Sequence, residues 1–183
     1  MTDPVPARRV GHQPTLLQLR GWVHYHQVYL LEAGSDLSGM LDDGLASPVG
    51  IICVRPGSAF LTTGLHTGVV GFTVAVADRD PGADLHTYED VVEISYDSPT
   101  GIVWLEEWGG EGSHTLPPLA GGPGWYRLRY HARGMDAAQQ ADTSEEPIDE
   151  YMLQIWPEPH KEPAVVKLTS DTAQYWIDHS AQA

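Results

Sequence analysis

Apolar and polar residues alternate along this chain in short runs, and turn residues cut each run before a helix could complete many turns. Residues 19–31 (LRGWVHYHQVYLL) are aromatic and branched throughout. The runs 50–54 (GIICV) and 58–62 (SAFLT) flank Pro56-Gly57, a strong turn signal. Residues 69–77 (VVGFTVAVA) form a continuous apolar stretch, while 90–96 (DVVEISY) and 101–106 (GIVWLE) alternate. In 125–131 (WYRLRYH) the alternation puts Arg127 and Arg129 on the outward side. The runs 151–156 (YMLQIW) and 164–168 (AVVKL) complete the set. Val, Ile, Tyr, Trp and Thr suit a pleated surface, so each run predicts a strand.

Eight or nine short strands joined by Gly/Pro turns predict an all-β fold, an antiparallel β-sandwich or jelly roll. Fourteen prolines and nineteen glycines leave room for one helix, at about 169–180. There Thr169 or Ser170 can cap the first turn, Asp171 suits its dipole, and Ala173, Trp176 and Ile177 share a face. Residues 1–15 predict a flexible arm, and 16–183 a single domain. Trp22, Trp104, Trp125 and Trp156 fall in strand patterns and are expected in the core.

Charge changes this picture. Lys and Arg total 10 against 25 Asp and Glu, a formal balance of −15 in 183 residues. Such a surface repels nucleic acid and anionic membrane and attracts a basic partner before contact. The acids cluster. Glu106, Glu107 and Glu111 surround Trp108, and Asp142, Glu145, Glu146, Asp149 and Glu150 follow Asp136. These residues are the predicted partner-binding set: an aromatic flanked by acids anchors a cationic surface while the acids steer its approach. The same acidity also fits an interaction protein of unrelated role. The N-terminal stretch does not read as a signal peptide, and no apolar run approaches the roughly 20 residues a bilayer needs, so cytoplasmic residence is expected.

Catalytic patterns are scarce. Cys53, the single cysteine, lies in an apolar strand where a thiol is buried and inert. No serine sits in a nucleophile elbow, and no Gly-rich phosphate loop is present. His24 and His26, read as alternate residues of one strand, would share a face and are weak candidate metal ligands, as in a ligand- or metal-binding jelly roll. Residues 78–89 (DRDPGADLHTYE) imitate a calcium loop but carry Gly82 and Ala83 where an oxygen ligand and a glycine are needed. Neither cofactor nor enzymatic activity is expected.

The order of these pieces resembles the competence J (ComJ) family, small β-sandwich inhibitors of a DNA-entry nuclease. The resemblance is carried by Tyr25-His26-Gln27 with Val28 and Tyr29, and by the GIICV and SAFLT pair leading to 72–77. Tyr88-Glu89 ahead of 91–95, the Leu116-Pro117 turn before 126–130, and the acidic stretch before 151–155 follow in the same order. It spans roughly 19–156; the extension 157–183 and the long acidic stretch after Met135 depart from it. The resemblance implies a non-enzymatic nuclease inhibitor or immunity-type antagonist.

Overall fold

Alternation along 67–76 becomes a strand whose even positions are buried, Gly68, Val70, Phe72 and Val74 in turn, and ten residues of it pair with the first strand. The computed structural model describes residues 13–35 and 46–180. Its strands are β1 (Thr15–His24), β2 (Gln27–Glu32), β3 (Ile52–Arg55), β4 (Ser58–Thr62), β5 (Thr67–Val76), β6 (Asp90–Ser98), β7 (Val103–Glu107), β8 (Ser113–Thr115), β9 (Gly124–Arg133), β10 (Thr143–Ser144), β11 (Glu150–Pro157) and β12 (Ala164–Lys167). Two helices, α1 (Met135–Ala141) and α2 (Asp171–Ser180), and a 3-10 turn at Trp108–Gly110 complete the described residues. The expected arm falls largely on 1–12, outside the described residues, and Thr15 already belongs to β1.

The all-β expectation holds in outline, but two separate antiparallel sheets do not form. One open, curled sheet runs β12-β6-β9-β11-β5-β1-β2-β4-β3, with β7 beside β2, β8 beside β7 and β10 beside β5. It is mixed: β10 and β11 run parallel to β5, while the other pairs are antiparallel. The parallel strand β11 sits between β9 and β5 and is buried on both faces, which is why its sequence reads as a nearly continuous apolar run. β1 and β2 share a single residue pair, His24 with Gln27; beyond it β1 follows β5 while β2 lies between β4 and β7. The sheet bends at that corner, so both halves contribute to one core. Val23, Leu30, Leu61 and Leu105 from one half meet Phe72, Tyr130, Tyr151 and Leu153 from the other. The rings of Tyr130 and Tyr151 stack at 5.4 Å.

Three further expectations are corrected. Arg127 and Arg129 do leave the core face, yet they are buried, 3% and 5% exposed, because residues 78–84 and 158–163 roof that side of the sheet. Trp22 and Trp125 are exposed and Trp104 is half-buried, leaving Trp156 as the one of those four that is fully enclosed. A second helix, α1, occupies part of the stretch read as acidic loop. α2 forms where expected, with Ser170 Oγ accepting the Ala173 amide, but its first turn is also held from outside. The Asp136 carboxylate of α1 accepts the amides of Asp171 and Thr172 at 3.2 and 2.8 Å. That link fixes the two helices side by side.

Candidate functional site

The turn between β1 and β2 is the unusual piece of backbone. Tyr25 and His26 occupy its two central positions at φ 54° and 62°. Left-handed φ at both positions gives a turn whose twist matches a hairpin, but Gly, which lacks a Cβ, and Asn, whose short side chain hydrogen-bonds locally, normally fill it, and larger side chains are strained there. His24 and His26 therefore do not share a strand face: β1 ends at His24, and His26 sits in the turn. One other non-glycine residue among those described has a left-handed φ, Asp142 at 63°, the residue that terminates α1. Its carbonyl accepts the amides of both His66 and Thr67 at 3.1 Å, so it lies beside the same turn. Gly68 makes this approach possible, since a Cβ there would stand 1.9 Å from the Ser144 carbonyl. All three strained positions thus meet at one end of the sheet, and strain of roughly 1–3 kcal/mol per residue collects where function demands a conformation.

Rings gather around that turn. His24 packs 4.7 Å from Trp108 and 5.5 Å from His66, Tyr25 lies 5.2 Å from His66 and 5.8 Å from Trp108, and His26 lies 4.9 Å from His66. His26 then meets Trp176 of α2 at 6.0 Å, and Trp176 meets Tyr175 at 5.4 Å. The result is a continuous belt of rings from the Trp108 turn to α2. Tyr25 and Tyr175 are each half exposed. Thr67 Oγ1 lies 2.6 Å from His24 Nδ1 and 2.8 Å from His66 Nδ1. With one proton to donate, it can donate to at most one of the two imidazoles, which couples their tautomers. His26 Nδ1 is 3.0 Å from the Thr63 carbonyl, and burial, then the neighbouring His66, lowers its pKa. Among the described residues no three His, Cys, Asp or Glu side chains converge tightly enough to hold a metal ion.

The predicted acids divide into two groups. Glu106, Glu111, Asp142 and Glu145 are at least partly exposed, and their carboxylates accept no hydrogen bond among the described residues. The rest are engaged. Glu107 is 8% exposed and takes His114 Nε2 at 2.8 Å. Asp149 is fully buried, not displayed as the sequence suggested. Its Oδ2 accepts the Leu65 amide at 2.9 Å and the Tyr151 hydroxyl at 2.5 Å, and burial raises its pKa. Glu146 pairs with Arg20 at 2.7 Å and Glu150 with Arg133 at 2.5 Å, both at exposed sites worth about 0–1 kcal/mol. Trp108, half-buried, connects the first acidic cluster to the rings, and Asp142 connects the second. In the calcium-like stretch, Asp80 is bound to Arg129 and Asp84 receives the amides of His86 and Thr87.

Sequence reasoning missed His66, Tyr175 and Trp176. His66 stands alone in a turn, and Trp176 reads as the apolar face of a helix, so no spacing signal tied either to Trp108. The HYH turn was the available clue.

No family model matches the chain, and no curated protein matches it significantly. Solved structures do. The fold is similar to a protein described as crocagin biosynthetic gene J, at 13% identity and TM-score 0.55, covering 80% of this chain and 99% of that one. It is also similar to ComJ from Bacillus subtilis, an inhibitor of the DNA-degrading activity of NucA, at 14% identity and TM-score 0.51, covering 80% of this chain and all of that one. The ComJ-like fold is therefore established at the level of architecture.

Proposed function

We propose that this protein is a non-enzymatic binding module that antagonises a basic protein partner of the nuclease kind. The observation that carries the reading is convergence: two acidic segments far apart in sequence reach the same strained, ring-lined end of the sheet. Trp108 lies 4.7 Å from His24, and the Asp142 carbonyl takes the amide of Thr67, whose hydroxyl in turn touches His24. The contact surface is then Trp108 and Tyr25 as anchors, with Glu106, Glu111, Asp142 and Glu145 around them. Glu146 and Glu150 stand at its margin, and Asp149 and Glu107 hold the scaffold behind it.

A nuclease groove is basic because it binds phosphates, so carboxylates on a rigid scaffold can occupy phosphate positions. Steering by a field of this sign raises association by roughly 10 to 10³-fold at low salt. The ComJ-like fold supports a partner of the nuclease kind, and its occurrence in a crocagin biosynthetic protein supports a reading in which surface residues, not the architecture, carry the specificity. No helix among the described residues is long and apolar enough to cross a membrane; cytoplasmic residence remains part of this proposal.

The test is the DNA-degrading activity of a NucA-type nuclease from the same genome, assayed with and without the purified protein. Stoichiometric inhibition that weakens as salt rises, and is lost in Trp108→Ala, is expected. Undiminished nuclease activity at every salt concentration would overturn the reading.

A further inference from the structure

Between α1, α2 and the β1–β2 turn lies a groove of about 580 Å³, lined by His26, Gln139, Asp171, Thr172, Tyr175 and Trp176. We propose that this groove receives an arginine side chain of the partner, its guanidinium lying on the Tyr175–Trp176 corner and its charge directed to Asp171. The proposal deepens the reading above and rests on the partner being basic.

The walls have the right shape. The planes of Tyr175 and Trp176 meet at 84°, so a flat group on one ring presents its edge to the other. His179 packs against one face of Tyr175 at 3.7 Å, and Tyr175 is itself half exposed. The charge is also right: neither Lys nor Arg lines the groove, and the Asp171 carboxylate is exposed and accepts no hydrogen bond among the described residues. The neighbouring Asp136 carboxylate is already saturated by Thr172 and the Asp171 amide, so Asp171 is the group left to meet a cation. His26, the one imidazole in the wall, is held neutral near pH 7 by burial and by His66, and so does not repel it.

Arginine fits better than lysine because its guanidinium is planar, weakly hydrated and stacks on aromatic faces, whereas an ammonium is a compact, strongly hydrated charge.

The experiment titrates the full chain with three blocked tripeptides, Gly-Arg-Gly, Gly-Lys-Gly and Gly-citrulline-Gly, while following the Trp176 indole N–H by NMR. Saturable shifts with the arginine peptide at least about 5-fold tighter than with lysine, and none with citrulline, are expected. Tyr175→Ala should abolish them, and Asp171→Asn should weaken them severalfold; both residues are exposed, so thermal unfolding should hardly change. Equal response to all three peptides, no response, or shifts that survive Tyr175→Ala overturn the proposal. Nuclease inhibition through Trp108 and Glu106 is read separately. A protein that inhibits but ignores the arginine peptide loses the groove alone, whereas one that does neither loses both.

Discussion

The outer face of β6, β9 and β11 and the belt around the β1–β2 turn are built from the same ingredients: cations or imidazoles, carboxylates and tryptophan. On the first, Glu93 bridges Arg127 and Arg129 at 3.1 and 2.6 Å, Asp80 and Gln154 complete the Arg129 fork, and the guanidinium lies 4.6 Å over Trp156. Arg127, Arg129, Glu93 and Asp80 are all paired there, and the face is roofed. On the second, the carboxylates of Glu106, Glu111, Asp142 and Asp171 accept no hydrogen bond among the described residues, the backbone is strained at three positions, and the rings stand half in water. What separates scaffold from candidate interface is therefore pairing, and neither charge nor aromatic content distinguishes them.

The comparison is broken most directly by removing Arg129. Replacing it with methionine keeps the packing over Trp156, leaves Glu93 with Arg127 as its one remaining donor, and removes the donor to Gln154 Oε1 and Asp80 under the roof. A loss of about 3–5 kcal/mol is expected in urea unfolding, the range for uncoupling a buried ion pair. Glu106→Gln, by contrast, should stay within about 0.5 kcal/mol of wild type. A small effect of Arg129→Met would mean that the roofed cluster behaves like a set of exposed pairs, and the contrast between the two regions would fail.

A second contrast lies in the histidines. His131 is on the roofed face, fully buried, receiving the Asp84 amide on Nε2 and facing the Met152 carbonyl with Nδ1. Burial lowers its pKa to about 4, and the Arg129 charge adds to the effect. Its folded-state value is below the unfolded 6.5, so stability is complete above pH 6.5 and declines as the unfolded chain alone takes up a proton, down to pH 4. The loss is on the order of 3 kcal/mol over that window. Asp149 works in the opposite sense, because burial raises its pKa and acid relieves its charge. Denaturant unfolding of wild type against His131→Gln, pH by pH, cancels that shared contribution. Parallel curves would show that His131 is not held neutral.

Most strands and α2 were legible because each carries its own period or cap, although the run 19–31 hid the β1–β2 turn and the short β8 and β10 left no run of their own. The parallel β5–β11 pairing was not, since a doubly buried apolar run reads alike in either direction. α1 was hidden because Met135–Ala141 is seven residues, a methionine followed by Ala, Gln and Asp, with too little period to register, and it alters the reading of Asp142 from loop acid to helix terminus. The site was half legible. Trp108 and its flanking acids stood out as an aromatic among charges, and the histidine pair stood out by type. Their meeting depends on the bend at His24 and Gln27, which no local pattern encodes. Asp149 and Glu107 were misplaced for a related reason: composition counts carboxylates, but burial decides which of them reach a partner.

Relieving the strain tests whether the belt is held for function. Tyr25→Asn with His26→Gly would place the residues such a turn prefers at its two left-handed positions. The pair should stabilise the fold by about 1–2 kcal/mol in urea unfolding, since each left-handed non-glycine residue costs roughly 1–2 kcal/mol and the lost ring contacts offset part of the gain. Nuclease inhibition should fall at the same time. If stability drops instead, the rings of Tyr25 and His26 are part of the scaffold and belong with the roofed face.

The smallest effect on stability should accompany the clearest kinetic signature. Glu106→Gln with Glu111→Gln removes two unpaired carboxylates beside Trp108 without touching a hydrogen bond, so unfolding should be unchanged within about 0.5 kcal/mol. Charges at the rim of an interface act mainly on the association rate, whereas a buried aromatic anchor acts on dissociation. The double variant should therefore associate severalfold more slowly with the nuclease at low salt and show a flatter dependence on ionic strength, with dissociation unaltered. Trp108→Ala should do the reverse, leaving the salt slope intact while the complex falls apart faster. Stopped-flow association and surface-based dissociation across a salt series separate the two. If both variants change only the dissociation rate, the carboxylates are contact groups and long-range steering plays no part.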